Sequence, residues 1–200
     1  MPNTAPTKGN LMALNRTLTL ARTGYELMDR KRNILIREMM RLIDAAAALQ
    51  SRIDSTFAEA YQALQIANIA LGTCRSLADN MPLDTSVQIR FRSVMGVEIP
   101  YVTADSAPPA APLGFISTNS DFDEAVAQAF KAKRLITEMA EVETSIYRLA
   151  YAIKKTQKRA NALQNVIIPD LTAKVKFITA ALEEKEREEF VRMKVIKARG

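Results

Sequence analysis

Histidine and tryptophan are absent from this chain of 200 residues, and cysteine occurs once. Without histidine there is no imidazole base, no Ser-His-Asp or Cys-His nucleophile and no histidine-ligated metal. The lone Cys74 excludes an internal disulfide and a cysteine metal cluster, and it suits a reducing, cytosolic compartment. Aromatic residues make up 6% of the chain, too few for the ring-rich cores of sandwiches and most globular enzymes. The six glycines build neither G-x-G-x-x-G nor G-x-x-x-x-G-K-[ST], so no nucleotide cradle is visible. No apolar run approaches the roughly 20 residues of a membrane span, and residues 1–10 lack the apolar centre of a signal peptide. No proline falls between Pro6 and Pro82.

What is present is the vocabulary of long helices: Ala, Leu, Ile, Lys, Arg and Glu. Apolar residues at 48% and charged residues at 25% describe a folded protein. The net charge of +6 is unevenly placed: ten cations and seven anions over 1–79, two and four over 80–121, sixteen and eleven over 122–200. Such an excess suits nucleic acid, anionic lipid or an acidic protein surface, or marks only solvated helix faces.

Apolar residues recur at alternating steps of three and four. One series is Leu11, Leu18, Tyr25, Arg32, Met39, Ala46, Ile53, Ala60, Ala67, Cys74; the other is Leu14, Ala21, Met28, Leu35, Leu42, Leu49, Thr56, Ala63, Ala70. Only Arg32 and Thr56 break them, and a seven-residue repeat of this length predicts a left-handed coiled coil. After a tail over 1–9, a first helix is expected over 10–80, about 105 Å long, ended by Asp79-Asn80-Met81-Pro82. Over 81–119 the period changes. Val87, Ile89 and Phe91 alternate with Gln88, Arg90 and Arg92, and Val97, Ile99 and Tyr101 form a second short run. Two strands turning at Gly96 are expected, with Pro100 confined to an edge or strand end, and the hairpin needs the helices or a partner to lean on. A Pro/Ala-rich linker follows.

Ser120-Asp121-Phe122-Asp123-Glu124 reads as a capping box opening a second helix over 120–198. Its seam runs Leu135, Met139, Val142, Ile146, Leu149, Ile153, Thr156, Ala160, Leu163, Ile167, then Leu171, Val175, Ile178, Leu182, with a kink or local unwinding at Pro169. The expected fold is all-α: an antiparallel two-helix coiled coil with a β-hairpin and loop insert at the end opposite the termini. If 79 faces 122, Arg32 faces the Pro169 region, where a buried polar seam residue can fix register.

Half of that seam is thin, built on Ala60, Ala63, Ala67 and Ala70. Beside it run further apolar stripes, Phe57, Leu64, Leu71 and Phe122, Ala129, Ile136. They either widen the helix interface or form a docking face for another protein. Lys154, Lys155, Lys158 and Arg159 have three readings: solvated face, acidic protein contact or nucleic-acid contact. The Glu183–Glu189 cluster reads as surface pairs such as Glu183 with Arg187 and Glu188 with Arg192. Cys74 reads as a small seam filler. No catalytic constellation assembles, so the residues alone give a coiled-coil protein that binds partners.

Four segments, in order, resemble one family. Pro6-Thr7-Lys8 through Gly24-Tyr25-Glu26-Leu27-Met28-Asp29-Arg30-Lys31-Arg32-Asn33, then Arg92-Ser93-Val94-Met95-Gly96-Val97, then Thr156-Gln157-Lys158-Arg159-Ala160-Asn161 through Ile168-Pro169, then Glu183-Glu184-Lys185-Glu186-Arg187 through Lys194 are similar to the D subunit of V-type and archaeal-type rotary ATPases. The stretch 103–116 does not match.

The resemblance implies a non-catalytic central rotor shaft, without cofactor or metal. It would transmit torque between a catalytic hexamer of A and B subunits and the ion-translocating membrane ring. The implied partners are that hexamer, the small central-stalk F subunit and the membrane-ring coupling subunit, with no nucleic acid and no direct membrane span. The implied location is the cytoplasmic face of the membrane. Rotor–stator contacts are then expected at Arg22, Arg30, Lys31, Arg159, Lys174 and Lys176. Small-subunit docking is expected at Phe57, Leu64, Leu71, Phe122 and Ile136, and a coupling role at the hairpin residues Val87, Ile89, Phe91, Gly96 and Val97. The competing readings are a coiled-coil adaptor or export-apparatus scaffold and a nucleic-acid-binding rod.

Overall fold

The computed structural model describes residues 5–79, 86–103 and 118–199. The elements run α1 (Lys8–Leu71), α2 (Arg75–Asp79), β1 (Gln88–Val94), β2 (Val97–Thr103), α3 (Ser120–Ala162), a π-helical turn (Leu163–Ile167) and α4 (Ile168–Arg199). Of the expected stop at Asp79-Asn80-Met81-Pro82 only Asp79, the last residue of α2, is described, and the rest of it and most of the Pro/Ala-rich linker lie outside the described residues.

Local chemistry sets the helix ends. Thr7 caps α1, its Oγ1 accepting the Asn10 N–H at 3.2 Å. With no proline inside it, α1 continues for 64 residues and stops at Gly72, whose φ of 77° belongs to the left-handed region that glycine adopts without a steric penalty. The first long helix therefore breaks before residue 80. Asn68 Oδ1 accepts the Cys74 N–H at 3.1 Å across the break, and α2 resumes at Arg75. The cap of α3 is Asn119, one residue before the expected Ser120: its Oδ1 accepts the Phe122 N–H at 3.0 Å. Asp121 and Asp123 occupy the first turn, where carboxylates suit the helix dipole.

At Pro169 the missing N–H is accommodated by a widened turn. Ile168 N–H bonds to Leu163 O, the i+5 pattern of a π-helix. The inserted phase moves the seam by one residue: Ile167, expected inside, is exposed, and Ile168 is half-buried in its place. Leu171 and Ile178 beyond it are buried as the sequence pattern requires.

The chain divides into two compact units, 1–34 with 153–200, and 35–152. In the first, Leu18, Ala160, Leu171 and Ile178 are buried, and Leu11, Leu14, Ala21, Tyr25, Met28, Arg32, Ile153 and Leu163 are half-buried along the predicted seam. The helices are antiparallel, with Arg32 bonded to Gln157 and Lys8 ion-paired with Glu186 at 2.9 Å. Arg32 thus lies about three turns from the expected Pro169 region. The expected alignment counted from a helix reaching 79, whereas α1 ends at Leu71.

In the second unit, Leu35, Leu42, Leu135 and Leu149 are buried. A smaller cluster joins Ala67, Cys74, Phe122 and Ala125, with Ala63, Leu77 and Val126 against it. Every α1 seam position of both series is buried or half-buried except Ala70.

The hairpin belongs to this second unit. Met95 and Gly96 form its turn, both at positive φ (50° and 76°), the two-residue geometry that matches strand twist. Ile89 pairs with Val102, and Phe91 with Pro100. Pro100 costs no ladder bond, because residues 98, 100 and 102 turn their backbone groups away from β1. That outer edge docks on α3: the Val102 N–H donates to Glu141 Oε2 at 2.8 Å, and Arg148 Nη1 donates to Glu98 O at 3.1 Å. Ile99 is fully buried and Pro100 is buried.

Candidate docking groove

Where the seam is built from alanine, helix backbones can approach closely but little apolar area is covered. The larger side chains beside it are left standing around an open groove of about 670 Å³ in the second unit. Ala60, Ala125, Ala129 and Ala132 contribute small side chains to its lining. Phe57, Tyr61 and Leu64 come from α1, Val126 and Ile136 from α3, and Thr73, Cys74, Arg75 and Ala78 from the break and α2.

The rings of Phe57 and Tyr61, one turn apart, lie 6.0 Å between centroids and tilted by 39°. Tyr61 is 60% exposed, Ile136 48% and Leu64 40%, whereas Phe122 is buried. Covering three half-exposed side chains of this size is worth about 1 kcal/mol each. The charged groups lining the groove are two cations, Arg75 and Lys133. The surface therefore offers apolar contact with a basic rim.

Of the docking candidates, Phe57, Leu64, Phe122 and Ile136 line this one groove. Leu71 does not. It is the last residue of α1, and beyond it the lining passes to Thr73–Ala78. Sequence reasoning missed Tyr61, which one helical turn from Phe57 would have suggested. It also missed Arg75 and Ala78, which reach the groove through the break at Gly72.

The cationic candidates all fall in the first unit. Arg22, Arg30, Arg159 and Lys176 are exposed and Lys31 is half-buried. Lys174 is tied to Asp170 at 2.6 Å, an i,i+4 pair on its own helix. Lys154, Lys155 and Lys158 are exposed. At the C-terminal end, Glu183 pairs with Arg187 at 3.7 Å and Glu188 with Arg192 at 3.6 Å, as the spacing predicts. Glu186 raises the Lys8 pKa above its ordinary value, first by accepting its hydrogen bond and then by charge.

In the hairpin, Val87, Ile89 and Phe91 are exposed, Gly96 is in the turn and Val97 is half-buried. The Arg148 guanidinium lies 5.3 Å from the Phe91 ring centroid. Glu38 of α1 is held below its ordinary pKa, first by the Arg41 hydrogen bond and to a smaller degree by Arg92 of the hairpin. Among the described residues no helix is long and apolar enough to cross a membrane, and no three His, Cys, Asp or Glu cluster as metal ligands.

Residues 10–198 match the family model for the D subunit of ATP synthase. The chain belongs to the family of ATP synthase D subunits. It is 45% identical over 195 residues to the D subunit of the V-type ATP synthase of Thermotoga neapolitana, covering 96% of each chain. It is 36% identical to the D subunit of the A-type ATP synthase of Thermococcus kodakarensis, over 98% of this chain and 94% of the relative. With that of Pyrococcus furiosus it shares 35% identity over 96% and 92%. The family match takes in both helical units, the hairpin and every candidate residue named above.

Proposed function

We propose that this chain is the central-stalk shaft of a V/A-type rotary ATP synthase. It transmits torque between a catalytic hexamer of A and B subunits and a membrane ion-translocating ring. The observation that carries the reading is the family match along nearly the whole chain, including the alanine-lined groove and the basic terminal unit.

In this reading ATP binding and hydrolysis take place in the hexamer, and this chain supplies no catalytic group. The terminal unit turns inside the hexamer, with Arg22, Arg30, Lys31, Arg159 and Lys176 making polar contacts to the stator. Exposed charges are suited to that role. Each solvated pair is worth under about 1 kcal/mol, so no rotary angle becomes a deep trap. Lys174 would add its contact from a side chain already paired with Asp170.

The groove between Phe57 and Ile136 seats the small F subunit, which covers the apolar walls the helix pair leaves bare. The hairpin faces the coupling side and tunes transmission. The assembly is peripheral, on the cytoplasmic face of the membrane.

Capture of the tagged chain from its native membrane extract, followed by mass identification, tests the reading. Two large ATPase subunits and one small partner are expected. Recovery of nucleic acid or of an export assembly, with no ATPase subunit, would overturn it.

A further inference from the structure

Arg32 is the one charged residue in the α1 seam series, and it is not turned out to solvent. Its side chain is 25% exposed. Nη1 reaches across to α3 and donates to Gln157 Oε1 at 2.8 Å. The guanidinium is also held on its own helix. Nη2 lies 2.6 Å from Asp29 Oδ1, and Nε and Nη2 donate to Asn33 Oδ1 at 3.4 and 3.3 Å. Asn33 Nδ2 donates to Asp29 Oδ2 at 3.3 Å, and Gln157 Nε2 donates to Asn161 Oδ1 at 3.0 Å. The cross-helix bond is therefore braced at both ends by neighbours that fix each side chain's direction.

The apolar seam around it has no such directionality. Its residues repeat every seven positions, so sliding one helix by a heptad sets apolar side chains against apolar side chains again. The same slide removes the partner of Arg32. One heptad in one direction brings Ala150, which has no side-chain acceptor; in the other it brings Gln164, which is exposed on the π turn. In the Ala150 alignment the guanidinium would sit in the seam without a cross-helix acceptor, which is costly where water is partly excluded, and in the Gln164 alignment the acceptor offered lies on an exposed, π-wound segment.

We propose that Arg32 is the register key of the antiparallel helix pair, a positioning residue. Its bond to Gln157 selects one axial alignment among several that the apolar repeat accepts. The key contributes uniqueness more than stability, since an apolar side chain in its place would pack as well or better. A shaft needs that uniqueness, because helices free to slide past each other dissipate twist. The Arg32–Gln157 bond lies within this chain and sets its register whatever the chain's partners.

The test uses the full chain carrying Cys74→Ser, with spin labels at Met12 and Lys155, two exposed positions on opposite helices of the same unit. The parent is expected to give one narrow interspin distance. Arg32→Met should keep its helix content, melt at an equal or higher temperature, and show a second distance displaced by up to about 10 Å, the axial length of one heptad. Gln157→Glu, which offers Arg32 a carboxylate, should keep the single distance. Should Arg32→Met not fold, Gln157→Ala also predicts the second distance, at some cost in melting temperature, because Arg32 keeps Asp29 but loses its cross-helix acceptor. A single unchanged distance in whichever of the two folds overturns the proposal, because the apolar seam would then fix the register unaided.

Discussion

The backbone N–H of Val102 donates to the Glu141 carboxylate at 2.8 Å, closing the outer edge of a two-stranded hairpin against α3. A lone hairpin is marginal in water. This one is held by that bond, by the Arg148 bond to Glu98 O and by burial of Ile99. Glu141→Leu removes the acceptor and leaves the Val102 amide unsatisfied, a cost of about 1–3 kcal/mol to docking. Amide hydrogen exchange is expected to accelerate at Val102 and its ladder neighbours while α3 stays protected. Glu141→Gln keeps an acceptor and should lose less. Equal protection in all three proteins would mean that Ile99 and the Arg148 bond anchor the hairpin without help from Glu141.

If the small subunit docks in the groove as proposed, the groove walls matter more to that contact than to the fold. Leu64 and Ile136 are each about half covered already, so Leu64→Asp with Ile136→Asp should cost the isolated chain about 1 kcal/mol per site. In the assembled complex the same pair places two carboxylates in an apolar contact. Co-purification of the small partner should fall at least tenfold while the large ATPase subunits remain bound. Unchanged recovery of the small partner would remove the groove from the docking proposal.

Much of this arrangement is legible in the sequence. Apart from Ala70, the heptad positions from Leu11 to Cys74 are covered, because a seam in a helix pair has one repeat and few alternatives. Alternation of Ile89, Phe91 and the arginines marks β1 for a similar reason. Two features escaped. A glycine inside a helical pattern costs only about 1 kcal/mol, so Gly72 looks tolerable in mid-helix until the Asn68 side chain is seen to take the Cys74 N–H. That break shifts the alignment of the helix pair, which is why Arg32 meets Gln157 and why Arg75 and Ala78 reach the groove. The π turn is illegible in finer detail: Pro169 signals a disturbance, but Ile167 and Ile168 are chemically identical candidates for the inward position.

Acid should act on Glu38 in a defined sense. Its pKa is lowered in the folded chain, first by the hydrogen bond from Arg41. A carboxylate with a depressed folded pKa contributes stability that is fully present above the unfolded value of about 4.3. That contribution is lost as pH falls through the lower folded value. Glu38→Gln should therefore lower the melting temperature at pH 7 and leave it unchanged near pH 2. The effect at neutral pH is small, a few tenths of a kcal/mol, because Arg41 is 62% exposed and the i,i+3 pair is solvated. A difference that persists undiminished at low pH would point to packing rather than charge.

Two glycines give opposite expectations for one substitution. Gly24 lies within α1, and a Cβ placed there meets nothing within 4 Å. Gly24→Ala removes unfolded-chain entropy without a clash and should stabilise the chain by about 0.5–1 kcal/mol. Gly72 has equally open space, but its φ of 77° is in the left-handed region. Gly72→Ala must either hold that strained conformation, at about 1–2 kcal/mol, or extend α1 through the break and carry Cys74, Arg75 and Ala78 away from the groove. Both routes lower stability or small-partner binding. Thermal melts of the two variants, paired with capture of the small partner, separate them. Gly24→Ala should melt higher and bind as the parent does, and Gly72→Ala should lose on one measure or both. A Gly72→Ala chain that melted as high and bound as well as the parent would show that the helix break plays no part in shaping the groove.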